Sequence, residues 1–207
     1  MTVTQALLAF LAAASVLTVT PGLDTAMVLR SAAAGGARQA TFAAAGIGLG
    51  CFVWGVAASI GLGALLAAST LAFTILKWAG ALYLLYLGLK LIVRPRDSFD
   101  VANGQAAKVP GWQSLRQGFL TNILNPKVGV FYVTFLPQFV PAGVSIVPFS
   151  LLLTSIQVVL GLAWFAMLVA LTTPIGRLLR RPRAVKVMDR LTGSVFVAFG
   201  AKLALAR

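Results

Sequence analysis

Two ionisable side chains, Asp24 and Lys127, stand inside long apolar stretches, each just after a helix-breaking residue. Asp24 follows Thr20-Pro21-Gly22-Leu23, and Lys127 follows Asn125-Pro126. A charge at membrane depth costs about 2.5–3.5 kcal/mol even on lenient scales, so such residues usually mark a substrate or proton path. The chain has only four acids and no glutamate, and Asp24 is expected to be the only one that a membrane span must bury. Its carboxylate suits a cation or proton site; the plainer alternative is a helix-start acid that stabilises the dipole and pairs with Arg30 or Lys127. Burial and a cationic neighbour would pull its protonation in opposite directions. Lys127 suits an anion such as a carboxylate, the alternative being a lysine that snorkels out of the span. Asn122 and Asn125 are spaced to share a helix face, either lining a path or bonding the broken backbone.

The breaks themselves are chemical features. Proline removes an amide donor and clashes with the preceding turn, and Gly22 loosens the backbone further. Freed backbone groups survive in lipid only where protein or a water-filled cavity satisfies them. Thr20 before Pro21, and Asn125 before Pro126, read as N-caps followed by proline at the first helical position. Each break would then begin a half-helix whose free amides and positive dipole end can hold an anion.

The elements that must position these residues are membrane spans. Of the 207 residues, 59% are hydrophobic and 10% charged, with a mean hydropathy of +0.95. A soluble domain of this size could not hide so much apolar surface. The net charge of +13 does not indicate nucleic acid, because the basic residues fall between apolar runs rather than on a solvated face. The N-terminus has no basic n-region, so the first apolar run is expected to stay in the mature protein. Cys51 is the single cysteine and there is no histidine, which argues against an internal disulfide, a metal site or a cofactor such as haem. Cys51 reads as a small apolar core residue.

Six apolar stretches of about the length needed to cross ~30 Å of hydrocarbon are expected at residues 5–29, 40–67, 71–93, 115–136, 146–173 and 191–206. Residues 94–111 form the one substantial loop. Arg30 and Arg38 fall between spans one and two. Lys90, Arg94, Arg96, Lys108 and Arg116 surround loop three–four, offset by Asp97 and Asp100. Arg177, Arg180, Arg181, Arg183, Lys186 and Arg190 fill loop five–six against Asp189. The opposite side carries Lys77 alone between spans two and three, with Lys202 and Arg207 as exceptions near the C-terminus. The positive-inside rule then places the basic loops in the cytoplasm and both termini in the periplasm of a bacterial inner membrane.

The two halves echo each other. The Pro21 break is matched by Pro126, Trp54 by Trp164, and Gly88-Leu89-Lys90-Leu91 by Gly200-Ala201-Lys202-Leu203. The expected architecture is an all-α integral membrane protein, one transporter domain of six helices in a 3+3 inverted repeat. Repeat one covers about 1–93, the cytoplasmic loop about 94–114, and repeat two about 115–207, with the first and fourth helices broken and the site where they meet. Gly46 and Gly50 form a small-xxx-small pair suited to helix packing.

The Thr20-Pro21-Gly22-x-Asp24 break, Gly35-Gly36 with Arg38, and Lys77-Trp78-x-Gly80-x-x-Tyr83-Leu84-x-x-x-Gly88 form one set of ordered motifs. Phe119-Leu120-Thr121-Asn122-x-x-Asn125-Pro126-Lys127 and Phe135-Leu136-Pro137-Gln138-Phe139 form another. In this order the motifs resemble the LysE/RhtB family of amino-acid exporters. The family usually has Pro-Gly-Pro-Asp at the first break, and here Leu23 replaces the second proline. The resemblance implies gradient-driven efflux of amino acids such as homoserine, threonine, leucine or lysine. Related branches that move nickel with histidine-rich helices, or electrons with paired cysteines, do not fit this composition.

The expected function is therefore secondary export of small zwitterions. Lys127 and the half-helix amides would take the carboxylate, and Asp24 the ammonium or the coupling proton, with Asn122, Asn125 and Thr20 alongside. A membrane enzyme is disfavoured without a nucleophile–base or metal constellation, and a purely structural membrane protein would leave two buried charges unexplained. The expected partners are the amino acid and the lipid bilayer, with homo-oligomerisation left open. Topology reporters fused at Asn103 and just after Pro182 should read cytoplasmic and one at Gly143 periplasmic; the reverse pattern would refute the six-span arrangement.

Overall fold

The computed structural model describes residues 1–20, 22–68, 70–95, 108–171 and 182–205, which are mostly helical, with no strand among them. Helix α1 (Val3–Val19) starts at a capping box in which Thr2 Oγ1 accepts from Gln5 N and Thr2 N donates to Gln5 Oε1. At 17 residues it is too short to span hydrocarbon unaided and needs the segment beyond the break.

Helix α2 (Leu23–Ala68) has 46 residues. As one straight rod it would reach about 70 Å, over twice the hydrocarbon thickness. It is divided at Gly35 (φ −134, ψ 17) and Gly36 (φ 69, ψ −166). The positive φ at Gly36 is one that glycine alone adopts readily, so the break between the two arms is set there. The first arm covers residues 23–34 and the second arm residues 37–68.

Helix α3 covers Thr70–Val93, α4 Gly111–Ile123, α5 Pro126–Val130, α6 Ile146–Ala170 and α7 Pro182–Leu205. After Val130 the backbone widens into a π turn (Phe131–Phe135) and tightens into a 3₁₀ turn (Leu136–Phe139) before the loop to α6. Helices α3 and α6 lie close to the expected spans. The sixth helix differs: it starts at Pro182 rather than Leu191, because proline suits the first helical turn. Arg183, Lys186, Asp189 and Arg190 are therefore helical rather than part of a loop. Lys77 likewise falls inside α3 and not between helices. Pro21, Arg96, Asp97, Asp100, Arg177, Arg180 and Arg181 lie outside the described residues.

Asp189 also corrects the expectation that Asp24 is the one buried acid. It is fully enclosed (0% exposed) and partnered, one helical turn before the α3–α7 contact at Gly193, whereas Asp24 is only partly buried.

The exterior is apolar, and the interior sets polar side chains among an apolar core. Ser59, Asn122, Ser150 and Thr154 are all 0% exposed, while Leu8, Ile60, Leu82 and Val159 are each at least 60% exposed. Contiguous exposed apolar helix faces of this kind suit lipid rather than water. Several buried hydroxyls donate to the carbonyl four residues earlier, as Thr154 does to Ser150 (2.8 Å) and Thr134 to Val130 (2.7 Å).

Small residues let the helix backbones approach, as expected where lipid removes the hydrophobic drive for association. On α2 a Cβ at Gly46 would collide with the Leu115 carbonyl of α4, and one at Gly118 with the Ala43 carbonyl. Helices α3 and α7 run antiparallel: a Cβ at Gly88 would lie 2.6 Å from the Gly193 carbonyl oxygen, and one at Gly200 would lie 3.0 Å from that of Ala81. Phe10 of α1 packs edge-on against Phe139 (5.4 Å) and tilted against Phe131 (6.0 Å), tying the first helix to the irregular segment after α5. Val109 N donates to Gln39 Oε1 (3.3 Å), so the turn after the first arm of α2 and the start of α4 lie on one side of the molecule.

Gly46→Leu should therefore lower the midpoint of heat-induced aggregation in detergent by several degrees, through overpacking against rigid backbone. Gly61→Ala, with open space around the added carbon, should leave it unchanged.

Candidate functional site

At the first break, α1 ends at Val19 and α2 begins at Leu23. Thr20 is the C-cap of α1: its N–H and its hydroxyl both donate to the Val16 carbonyl, the hydroxyl at 2.6 Å. The expectation that Thr20 caps the next half-helix is thus corrected. Residues 21 and 22 intervene, so the capping position shifts to Gly22, whose carbonyl accepts from Ala26 N (3.0 Å). Asp24 is in the first turn of α2, where the dipole favours a negative charge.

The second break behaves as its sequence suggests. Helix α4 ends at Ile123, and Asn125 caps α5 with Oδ1 accepting from Lys127 N (3.1 Å) and Pro126 in the first turn.

Each break then completes the other. Asn122 Nδ2 donates to Asp24 Oδ2 (2.8 Å), and Asn125 Nδ2 donates to Asp24 Oδ1 (3.2 Å). In return, Lys127 Nζ donates to the carbonyls of Leu17 (3.2 Å) and Thr20 (3.1 Å), which lie at the C-terminal end of α1 where the ladder leaves acceptors without partners. A cation there also offsets the negative end of the α1 dipole. Gly50 makes room for this exchange, whereas a side-chain carbon at Gly22 would make only ordinary contact. A Cβ at Gly22 would touch Lys127 Nζ at 3.6 Å, and one at Gly50 would crowd Asn122 Oδ1 at 2.6 Å. Asn125 fills both roles open to it, bonding the broken backbone through its oxygen and the acid through its nitrogen.

The site borders a cavity of about 70 Å³, walled by Thr20, Gly22, Asp24, Asn125 and Lys127 from the two breaks, and by α2 and α6. Cys51 lies in the apolar core, as expected, and also accepts from Asn122 Nδ2 (3.4 Å). Two further lining residues escaped the sequence reading. Tyr132, 1% exposed, projects from the π turn, a backbone irregularity frequent at functional sites. Gln157 of α6 donates from Nε2 to Thr18 Oγ1 (3.1 Å), while its buried Oε1 has no partner. The signal for Gln157 was available: it is a lone amide in a long apolar run, as informative as Asn122. Among the described residues no group of His, Cys, Asp and Glu is placed to hold a metal ion.

An all-helical fold with an apolar exterior, two interlocked helix breaks and charged groups on an internal cavity is that of a membrane translocator. The LysE type translocator family matches residues 15–207, and the chain belongs to that family. It is a transporter and not an enzyme. It is 33% identical to an uncharacterized membrane protein, YrhP, of Bacillus subtilis over 98% of this chain and 100% of the relative. It is 30% identical to the homoserine/homoserine lactone efflux protein of Salmonella typhimurium over 96% of each chain. With the leucine efflux protein of Klebsiella pneumoniae it shares 29% identity over 95% of this chain and 93% of the relative. No solved structure matches.

Because Lys127 closes the end of α1, Lys127→Met should lower thermal stability in detergent as well as impair transport. Lys127→Arg should recover much of the stability by keeping a cation at those carbonyls. Unchanged stability in Lys127→Met would show that the carbonyl contacts contribute nothing to holding α1.

Proposed function

We propose that this protein is a secondary exporter that carries amino acids or similar small zwitterions out of the cytoplasm across the inner membrane, driven by a proton gradient. The observation that carries the reading is the placement of a carboxylate, Asp24, and an ammonium, Lys127, on the walls of one internal cavity. An amino acid presents the complementary pair of charges. Lys127, positioned by two carbonyls, takes the substrate carboxylate, and Asp24 takes its ammonium or, in exchange, a proton. The unpartnered Oε1 of Gln157 adds an acceptor beside them. Relatives named for homoserine and leucine efflux support the substrate class.

The hydrogen bonds suggest how protonation and opening are linked. As a carboxylate, Asp24 accepts from two amide groups, one from each side of the second break. A proton removes the charge and leaves weaker acceptors for the two amides. The hold of the second break on Asp24 is then loosened, which eases the parting of the two broken helices. Alternating access in a 3+3 inverted repeat, with the basic loops cytoplasmic and both termini periplasmic, fits this site at the repeat interface.

Asp24→Asn keeps the shape but removes the charge and the titration. It should abolish gradient-driven export with little loss of expression. In reconstituted vesicles it should also remove the response of amino-acid flux to an imposed pH gradient. Normal pH-driven flux in this variant would reduce Asp24 to a residue that stabilises a helix start.

A further inference from the structure

A second, larger cavity lies between the first arm of α2 and α4, on the side where Val109 meets Gln39. At about 630 Å³, against about 70 Å³ for the central cavity, it falls in the range of small-molecule sites. Its polar wall is formed by Arg30, Ser31, Gln39, Gln113, Gln117 and Thr121, with no acid among the described lining residues. Arg30 has no ion-pair partner among the described residues. Ser31 is 2% exposed and its hydroxyl has no hydrogen-bond partner, an arrangement that invites a ligand atom.

The two cavities share no lining residue. Met27 and Leu124 face the larger one, while Asp24 and Asn125 face the central one. Arg30 is six residues beyond Asp24 along the same helical arm, about 9 Å of rise.

We propose that this vestibule is a cytoplasmic loading subsite that takes the carboxylate of the outgoing solute on Arg30 and Ser31 before it passes to the central cavity. The planar guanidinium is matched to a carboxylate, the Ser31 hydroxyl supplies a further donor, and the glutamines hold the remaining polar groups. The assignment rests on the export reading. It adds a station distinct from Asp24 and Lys127, and it predicts an effect on affinity from the cytoplasmic side rather than on coupling.

The test uses the full chain in inside-out vesicles made only of phosphatidylcholine, so that no anionic lipid headgroup can supply the anion. Uptake of radiolabelled L-leucine and L-homoserine is followed under a pH gradient. Arg30→Gln should raise KM about tenfold, the loss of one charged hydrogen bond, with the maximal rate and its pH-gradient response retained. Arg30→Lys should recover part of the affinity, and Ser31→Ala should raise KM about threefold. The decarboxylated analogue of leucine, isoamylamine, should compete equally well against wild type and Arg30→Gln. If wild type transports and Arg30→Gln leaves KM unchanged, the subsite is wrong and the export reading stands. If Arg30→Gln fails to insert, an unchanged KM in Ser31→Ala overturns the subsite in the same way. Absence of wild-type uptake of both amino acids overturns the export reading and the subsite with it.

Discussion

The reciprocal closure of two helix breaks is the constraint on which the rest of the fold depends. In a lipid environment an unsatisfied backbone or carboxylate group costs several kcal/mol. Neither break is self-sufficient: Asp24 takes its donors from Asn122 and Asn125, and the carbonyls at the end of α1 take theirs from Lys127. The glycines around the crossing follow from this. Gly50 leaves space for the Asn122 amide, and Gly46 and Gly118 bring α2 and α4 into backbone contact so that the short asparagine side chains can reach.

Much of this was legible because chemistry that is rare in an apolar chain stands out. The two breaks, Asp24, Lys127 and the Asn122–Asn125 pair are polar or backbone-breaking residues in long apolar runs, and Asn-Pro specifies a capped helix start by local physics alone. Thr20 was misread because Thr-Pro resembles Asn-Pro, yet the glycine after the proline allows the new helix to start later and leaves the threonine to close the old one. Asp189 was hidden by its setting in a basic stretch, where an acid looks like surface charge; its burial depends on the earlier start of α7. That Lys127 serves backbone carbonyls could not be read from sequence, since it depends on a contact more than a hundred residues away.

The distribution of polarity explains why so few polar residues suffice. The exterior needs only apolar side chains of any shape, so sequence detail concentrates on the interior, where hydroxyls return to their own helix and amides reach across. The π turn at Phe131–Phe135 fits the same logic. By changing the helical register it brings Tyr132 to the cavity while Phe131 and Phe135 pack with Phe10 and Phe139.

The interlock also has a consequence for biogenesis. The lysine that completes α1 is made 107–110 residues after the carbonyls it serves. At about 5–20 residues per second, the first half of the chain waits roughly 5–20 s in the membrane with its polar ends unclosed. During that interval water, the insertion machinery or a neighbouring chain must satisfy them. The nascent first half is therefore the stage at which this protein is most exposed to quality control, and a ribosomal pause before Asn125 would lengthen that exposure without altering a single native contact.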